Sequence, residues 1–194
     1  MITSLPNLLT LSRILVIPVI VALFFVPGPT AKWIALAIFA LAGITDYFDG
    51  YLARTRKQIS LLGRFLDPVA DKLLVASVIL LLVAFNRISG WTVLPALVIL
   101  CREILVSGLR EFLADLRVAV PVSRMAKWKT GIQMVAIGFL IVGDAAPPYV
   151  HALEVGAVGL WIAAAATLVT GYDYLRAGLK YMTGPDSGAP RDSQ

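Results

Sequence analysis

Four aspartates in one short segment offer the most specific chemistry in this sequence. The segment covers residues 45–71 and reads TDYFDGYLARTRKQISLLGRFLDPVAD. Asp46 and Asp49 are three residues apart, and Asp67 and Asp71 are four apart. Either spacing places both carboxylates of a pair on one face of a helix. The two pairs can therefore meet if the helices that carry them lie side by side.

Carboxylates gathered in this way are suited to hard divalent cations. The chain has one histidine, His151, and one cysteine, Cys101, and neither lies in the segment. Cys101 lies in an apolar run, so we expect it to be a thiol of the core. An all-oxygen donor set favours Mg²⁺, Mn²⁺ or Ca²⁺ over zinc or copper, and two such ions about 3.5–4 Å apart would neutralise four carboxylates. The alternative is ordinary ion pairing with the basic residues of the same segment, which are Arg54, Arg56, Lys57 and Arg64.

Small residues and one arginine share the two helix faces that carry the aspartates. They leave bare backbone beside the carboxylates, which would form a slot for a flat or phosphorylated ligand. Arg54 would then clamp a phosphate through its planar guanidinium. The alternative is close packing of helices through small residues, which is common in membranes. Besides the aspartates, the two faces carry Gly50, Ala53, Arg54, Ser60 and Gly63.

The composition indicates that membrane helices position these residues. The chain of 194 residues is 59% hydrophobic and 15% charged, with a mean hydropathy of +0.84. Average chains are about 45–50% apolar and about 25% charged. The excess of apolar residues excludes a disordered chain, a disulfide-rich secreted scaffold and a conventional soluble enzyme. It predicts an all-α integral membrane protein.

Six apolar stretches, each near the ~20 residues that a bilayer requires, predict six transmembrane helices. Pro and Gly residues, as in the run from Pro27 to Pro29, separate them. We expect residues 1–182 to form a single membrane catalytic domain and residues 183–194 to be a disordered cytoplasmic tail. The predicted spans are residues 8–26, 31–53, 66–85, 91–112, 127–142 and 150–175.

Basic residues are distributed unevenly between the two sets of connections. One set, together with the tail, holds most of the Lys and Arg, whereas the other holds only Lys32 and Arg87. The positive-inside rule then places both termini in the cytoplasm. The net charge of +5 reflects this topology and contact with anionic lipid, and no nucleic acid is expected as a partner. All four aspartates would lie just below the cytoplasmic surface, where each carboxylate needs a counter-charge.

Two further groups of polar residues enter the predicted bilayer from the cytoplasmic side. Asn7, Thr10 and Arg13 form a stripe at the start of the first helix, where they would contact a nucleotide or its diphosphate. The alternative is helix capping by Asn7 and snorkelling of Arg13 to the interface.

The second group, on the fourth and fifth helices, could bind a substrate phosphate, because a phosphate dianion favours several cations. Lys129 and Gln133 share one face of the fifth helix. The alternative is a belt of charges at the inner interface, in which Glu103 pairs with a helix cation. The basic residues of this group are Arg102, Arg110, Lys127 and Lys129.

The aspartate segment resembles the signature of the CDP-alcohol phosphatidyltransferase family. Its pattern from residue 46 to residue 71, D-x2-D-G-x2-A-R-x8-G-x3-D-x3-D, fills eight positions over 26 residues without a departure. Residues 6–14, 102–112 and 127–134 are similar to the bacterial members that use glycerol 3-phosphate.

The resemblance implies a six-helix membrane fold, usually a homodimer, whose site opens to the cytoplasmic leaflet of the bacterial inner membrane. It implies transfer of a phosphatidyl group from CDP-diacylglycerol to sn-glycerol 3-phosphate with release of CMP. Two divalent cations, Mg²⁺ or Mn²⁺, would be held by the four aspartates, and Asp71 would also be the catalytic base. Gly50, Arg54 and Ser60 would contact the CDP group.

Other functions remain open from the residues. Another acceptor, such as inositol phosphate or serine, would use the same signature. Intramembrane prenyl transferases also hold Mg-diphosphate on paired aspartates, although their two motifs lie far apart. A divalent-cation transporter would need polar residues on both sides of the bilayer, whereas the outer half of this chain is nearly apolar.

Overall fold

The computed structural model describes residues 5–56, 61–115 and 124–183, with side chains at 10–45, 66, 69–113, 128–172 and 174–176. Within this part of the chain the regular secondary structure is helical, which confirms the all-α class. Three short 3₁₀ turns join the longer helices. The α-helices are α1 (Leu5–Phe25), α2 (Pro29–Arg56), α3 (Leu61–Ala84), α4 (Val93–Asp115), α5 (Arg124–Val142) and α6 (Ala152–Thr183).

Each predicted apolar stretch coincides with one of these helices. The largest differences lie at the ends near the aspartates, where α3 begins at Leu61 and α6 continues to Thr183. A helix continues through polar residues such as Arg64 and Arg176, near which the predicted apolar stretches end. By length and composition, the segments Gly90–Leu113 and Pro148–Arg176 are able to cross a membrane.

The six helices pack as a ring in the order α1, α2, α5, α6, α4 and α3, and α3 closes the ring against α1. A contact between α3 and α5 crosses the middle of the ring. The α5–α6 contact is the most extensive, because Gly156 and Gly159 of α6 lie against Leu140 and Ala136 of α5. Fully buried side chains, among them Ile20, Phe39, Leu82, Ile99, Ile137 and Leu160, form the core.

Large apolar side chains also cover the outside of the ring. Leu15, Leu80, Val135 and Val158, on four different helices, are each more than half exposed. An outer surface of this kind is unfavourable in water and favourable against lipid. Cys101, for which the apolar sequence around it suggested a place in the core, is instead exposed on α4. That expectation was wrong because the inner and outer faces of α4 are both apolar.

An ion-pair cluster joins three helices at one end of the ring. Asp144, which follows α5, accepts hydrogen bonds from Lys32 of α2 at 2.7 Å and from Arg87, beyond α3, at 3.0 Å. Arg87 also donates to the carbonyls of Leu140 and Ile141 at the end of α5. The hydrogen bond from Lys32 holds the pKa of Asp144 below its ordinary value. Because this end gathers the start of α2 with the ends of α3 and α5, α2 runs antiparallel to α3 and α5.

Candidate active site

The two aspartate pairs lie within helices, as their spacing predicts. Asp46 and Asp49 belong to the last part of α2, and Asp67 and Asp71 to the first part of α3. Since α2 and α3 are antiparallel, both pairs lie toward the end of the ring opposite to the Asp144 cluster. The side chain of Asp71 is described and half-buried, whereas those of the other three aspartates lie outside the described side chains.

Several other predicted site residues also lie outside the described side chains. Gly50, Ala53 and Arg54 lie within the helical backbone of α2, and Gly63 lies within that of α3. Their surroundings, like those of Asn7 in α1 and Lys127 in α5, are not described. Ser60 lies outside the described residues altogether.

A polar cavity of about 410 Å³ opens between α3, α4 and α5. Its volume lies within the range of small-ligand sites. Asp71 lines it from α3, together with polar side chains of all three helices and with apolar residues such as Leu100 and Met134. The polar residues that share the lining with Asp71 are Lys72, Glu103, Ser107, Glu111, Thr130 and Gln133.

A hydrogen-bonded chain of side chains ties α3 to α4 along this cavity. Lys72 Nζ donates to Ser107 Oγ, and Ser107 Oγ donates to Glu111 Oε1 at 3.3 Å. These hydrogen bonds fix α3 against α4 beside Asp71, because Lys72 directly follows Asp71 in α3.

Glu103 gathers two cations on the α4–α5 side of the cavity. Lys129 Nζ donates to Glu103 Oε1, and Arg102 Nη1 lies 3.5 Å from the same oxygen. Lys129 is only 2% exposed. An ammonium group at this depth requires a counter-charge, and Glu103 supplies it. The alternative interpretation of Glu103, as the partner of a helix cation, is therefore confirmed.

Tyr174 on α6 gathers the second arginine of this region. Arg110 Nη2 donates to Tyr174 Oη at 3.2 Å, and the Arg110 guanidinium carbon lies 5.5 Å from the ring centroid. Arg102 lies 6.0 Å from the same ring and donates to Thr170 Oγ1 at 3.1 Å. Three of the four predicted phosphate-binding cations thus lie around Glu103 and Tyr174.

The sequence interpretation missed Thr170 and Tyr174. The available signal was the spacing of Thr167, Thr170 and Tyr174, which places three polar side chains on one face of an apolar helix. All three are buried.

The polar stripe of α1 faces the inside of the bundle. Thr10 and Arg13 are 1% and 2% exposed. This burial contradicts the snorkelling of Arg13, since a snorkelling guanidinium is exposed at the interface. Neither residue lines the cavity of Asp71.

A second cavity, of about 710 Å³, is apolar and lies between α2 and α5. Gly43 lines it near the aspartate end, and Gly131 and Gly138 line it along α5. At the opposite end it reaches Pro147 and Val150. A groove of this length and polarity is suited to a hydrocarbon chain.

The donor chemistry around Asp71 fits a hard divalent cation. His151 lies in the turn before α6 and Cys101 lies on the exposed face of α4, so the chain's only imidazole and only thiol are outside the Asp71 cavity. Among the described residues, no group of three or more His, Cys, Asp or Glu side chains is positioned to hold a metal ion. The side chains of the other signature aspartates, Asp46, Asp49 and Asp67, lie outside the described side chains.

Comparisons with known proteins agree with the signature. The family model for CDP-alcohol phosphatidyltransferase matches residues 3–169. A Rickettsia bellii protein named CDP-diacylglycerol–glycerol-3-phosphate 3-phosphatidyltransferase is 47% identical over 178 residues, covering 92% of this chain and 97% of its own. Proteins of the same name from Salmonella choleraesuis and Cereibacter sphaeroides are 42% and 38% identical. They cover 90% and 92% of this chain, and 94% and 97% of their own length. The chain therefore belongs to the CDP-alcohol phosphatidyltransferase family.

Proposed function

We propose that this chain transfers the phosphatidyl group from CDP-diacylglycerol to sn-glycerol 3-phosphate, giving phosphatidylglycerol phosphate and CMP. The names of its relatives describe this reaction for those proteins. The observation that carries the proposal here is the cavity lined by Asp71, the last aspartate of the family signature, and by Glu103, which holds the buried Lys129.

The acceptor hydroxyl attacks the phosphorus of the phosphatidyl group in line with the departing CMP. Asp71 accepts the proton of that hydroxyl, and the bond between this phosphorus and the CMP oxygen breaks, so CMP leaves with the electron pair. Two divalent cations, Mg²⁺ or Mn²⁺, would neutralise the diphosphate when bound. The residues that would hold them are Asp46, Asp49, Asp67 and Asp71.

The CDP-diacylglycerol headgroup would be held by the residues of the signature slot and of the α1 stripe. Arg54 would pair with the diphosphate, and the small residues would let it approach the backbone. Thr10 and Arg13 face the inside of the bundle and not the lipid, as a role of α1 in the site requires. The proposed set is Gly50, Ala53, Arg54, Ser60, Gly63, Asn7, Thr10 and Arg13.

The phosphate of glycerol 3-phosphate would bind to the basic cluster. Glu103 and Tyr174 hold Arg102, Arg110 and Lys129 at one side of the bundle, and Lys127 belongs to the first turn of α5. A phosphate arriving there meets several cations whose side chains are already ordered, which lowers the entropic cost of binding.

The apolar groove between α2 and α5 would hold an acyl chain of CDP-diacylglycerol. Gly43, at the aspartate end of the groove, lies one helical turn before Asp46. A chain lying there would extend away from the reacting phosphate toward the opposite end of the bundle.

The membrane arrangement belongs to the same proposal. Six helices with apolar outer faces support six transmembrane spans in a single domain of residues 1–182, with residues 183–194 as a cytoplasmic tail. The basic end of the bundle would face the cytoplasm of the bacterial inner membrane. We further propose a homodimer, as in the family.

The test is CMP release by the purified chain with CDP-diacylglycerol, Mg²⁺ or Mn²⁺ and a panel of alcohols. We expect release with glycerol 3-phosphate. Release with serine or inositol phosphate alone would contradict the proposed acceptor, and no release with any alcohol would contradict the proposed reaction. Transport of Mn²⁺ into sealed vesicles without CMP release would favour a cation transporter.

A further inference from the structure

We propose that Gln133 is a specificity-determining residue for the acceptor, whose second hydroxyl donates a hydrogen bond to the Gln133 side-chain carbonyl. The inference rests on the proposed function. It adds that the Gln133 carbonyl lets the site distinguish an acceptor with a second hydroxyl from one that has only the reacting hydroxyl.

The side chain of Gln133 has an unsatisfied hydrogen-bond acceptor. Gln133 is 4% exposed, and its Oε1 atom is buried without a hydrogen-bond partner among the described residues. A buried amide oxygen is unfavourable unless a donor satisfies it. Gln133 also lines the cavity that Asp71 enters from α3, so a donor in that cavity can reach it.

The position of Gln133 matches the order of groups along glycerol 3-phosphate. Gln133 follows Lys129 by one helical turn of α5, so their Cβ atoms are about 5–6 Å apart on one helix face. Asp71 faces the same cavity from the neighbouring helix. Lys129 reaches this cavity through Glu103, which lines it and pairs with Lys129. With the phosphate on this side and the reacting hydroxyl at Asp71, the middle hydroxyl of the acceptor would lie between them, beside Gln133.

Thr167 provides a matched control. Its Oγ1 is likewise buried without a partner among the described residues, and its side chain is 0% exposed. It lies on α6 and does not line the Asp71 cavity. A threonine-to-valine change there removes a buried unsatisfied oxygen without touching the proposed acceptor pocket.

The experiment compares two acceptors that differ by one hydroxyl. CMP release is measured with sn-glycerol 3-phosphate and with 3-hydroxypropyl phosphate, which lacks the middle hydroxyl, and the ratio of the two kcat/KM values is taken. We expect the unmodified chain to prefer glycerol 3-phosphate by about tenfold or more. Gln133→Met should bring the ratio close to one. Gln133→Glu, which keeps an acceptor oxygen, and Thr167→Val should both keep the preference.

The ratio remains informative if a variant folds poorly, because an unfolded fraction lowers both rates equally. A Gln133→Met variant with the full original preference would overturn the inference. If the unmodified chain releases no CMP with any acceptor, the proposed function fails. Stabilisation of the chain against heat by each phosphate then tests the inference separately. Equal stabilisation by the two compounds overturns it, and stronger stabilisation by glycerol 3-phosphate that Gln133→Met abolishes supports it.

Discussion

Glu103 neutralises two cations inside the helix bundle, so its charge is needed for stability. Lys129 is buried beside it, and Arg102 lies 3.5 Å from the same carboxylate oxygen. Glu103→Gln would leave both cations without their counter-charge. Because the Glu103 side chain is 26% exposed, we expect a loss of about 1–3 kcal/mol of unfolding free energy, below the 3–5 kcal/mol of a fully buried pair. Thermal unfolding in detergent measures it.

Two variants control this prediction. Glu111→Gln changes an exposed glutamate of the same helix and should have a much smaller effect. The double variant Glu103→Gln/Lys129→Met removes the stranded ammonium and should recover part of the lost stability. Losses that simply add would show that Glu103 and Lys129 do not interact.

Asp71→Asn tests the proposed base. An amide cannot accept the proton of the acceptor hydroxyl, so we expect turnover to fall by about 10²–10⁴-fold. Mn²⁺ binding, followed by electron paramagnetic resonance, should persist because three signature carboxylates remain. Asp144→Asn, the same substitution at the opposite end of the bundle, should leave turnover unchanged. Normal turnover in Asp71→Asn would remove Asp71 from this role.

For single residues, the sequence identifies the charged candidates more readily than the side chains that they contact. The aspartate signature and the cations Arg102, Arg110 and Lys129 are visible as departures from an apolar background. The partners of Tyr174 and the unsatisfied oxygen of Gln133 are not visible, since they depend on contacts between α4, α5 and α6. Tyrosine and glutamine inside a membrane helix do not by themselves indicate which side chain they meet.

Helix α5 provides a test of the apolar groove. Gly131 lines the groove, and a Cβ atom added there would meet no other atom within 4 Å. Gly131→Leu should therefore fold and occupy the space proposed for an acyl chain. We expect kcat/KM for CDP-diacylglycerol to fall by roughly tenfold, and by less with short acyl chains.

Ala165→Leu is the matched control for this substitution, because Ala165 is exposed on α6 and does not line the groove. Its kinetics should match those of the unmodified chain. An equal loss in both variants would mean that added bulk, and not the groove, limits the reaction.

Helix positions followed from the sequence, whereas helix burial did not. Apolar stretches bounded by Gly and Pro predicted all six helices, since a chain in lipid must satisfy its backbone within helices. The faces of each helix could not be assigned in the same way, because both lipid and core favour apolar side chains. The exposure of Cys101 and the packing of α1 against both α2 and α3 were therefore not predictable.

The Asp144 cluster makes the stability of the whole molecule dependent on pH. The hydrogen bond from Lys32 holds the pKa of Asp144 below its ordinary value. A carboxyl group with a lowered pKa contributes stability that is present above its unfolded pKa and lost as the pH falls through its folded pKa. The melting temperature should therefore decrease below about pH 4, and Asp144→Asn should remove part of this decrease.

The effect will be modest because the Asp144 side chain is 70% exposed. We expect at most about 1 kcal/mol, reduced further by salt. Melting curves between about pH 3 and about pH 7, at low and high salt, measure it, because this range runs from below the ordinary pKa of an aspartate, about 3.9, to well above it. Glu154→Gln is the control, since Glu154 is equally exposed and its nearest ion-pair partner is His151 at 3.8 Å. The same pH profile in the unmodified chain and Asp144→Asn would contradict the prediction.

The outward position of Cys101 has a practical consequence. It is the only thiol of the chain, and it lies on the same face of α4 as the exposed Leu97 and Ile104. Because the thiolate that reacts with maleimides forms poorly in apolar surroundings, a membrane-impermeant, charged maleimide should leave this single position unlabelled in bilayers and label it after the chain is unfolded. The native chain thus has a built-in reporter, whose labelling shows when this face of α4 leaves the bilayer, without any engineered substitution.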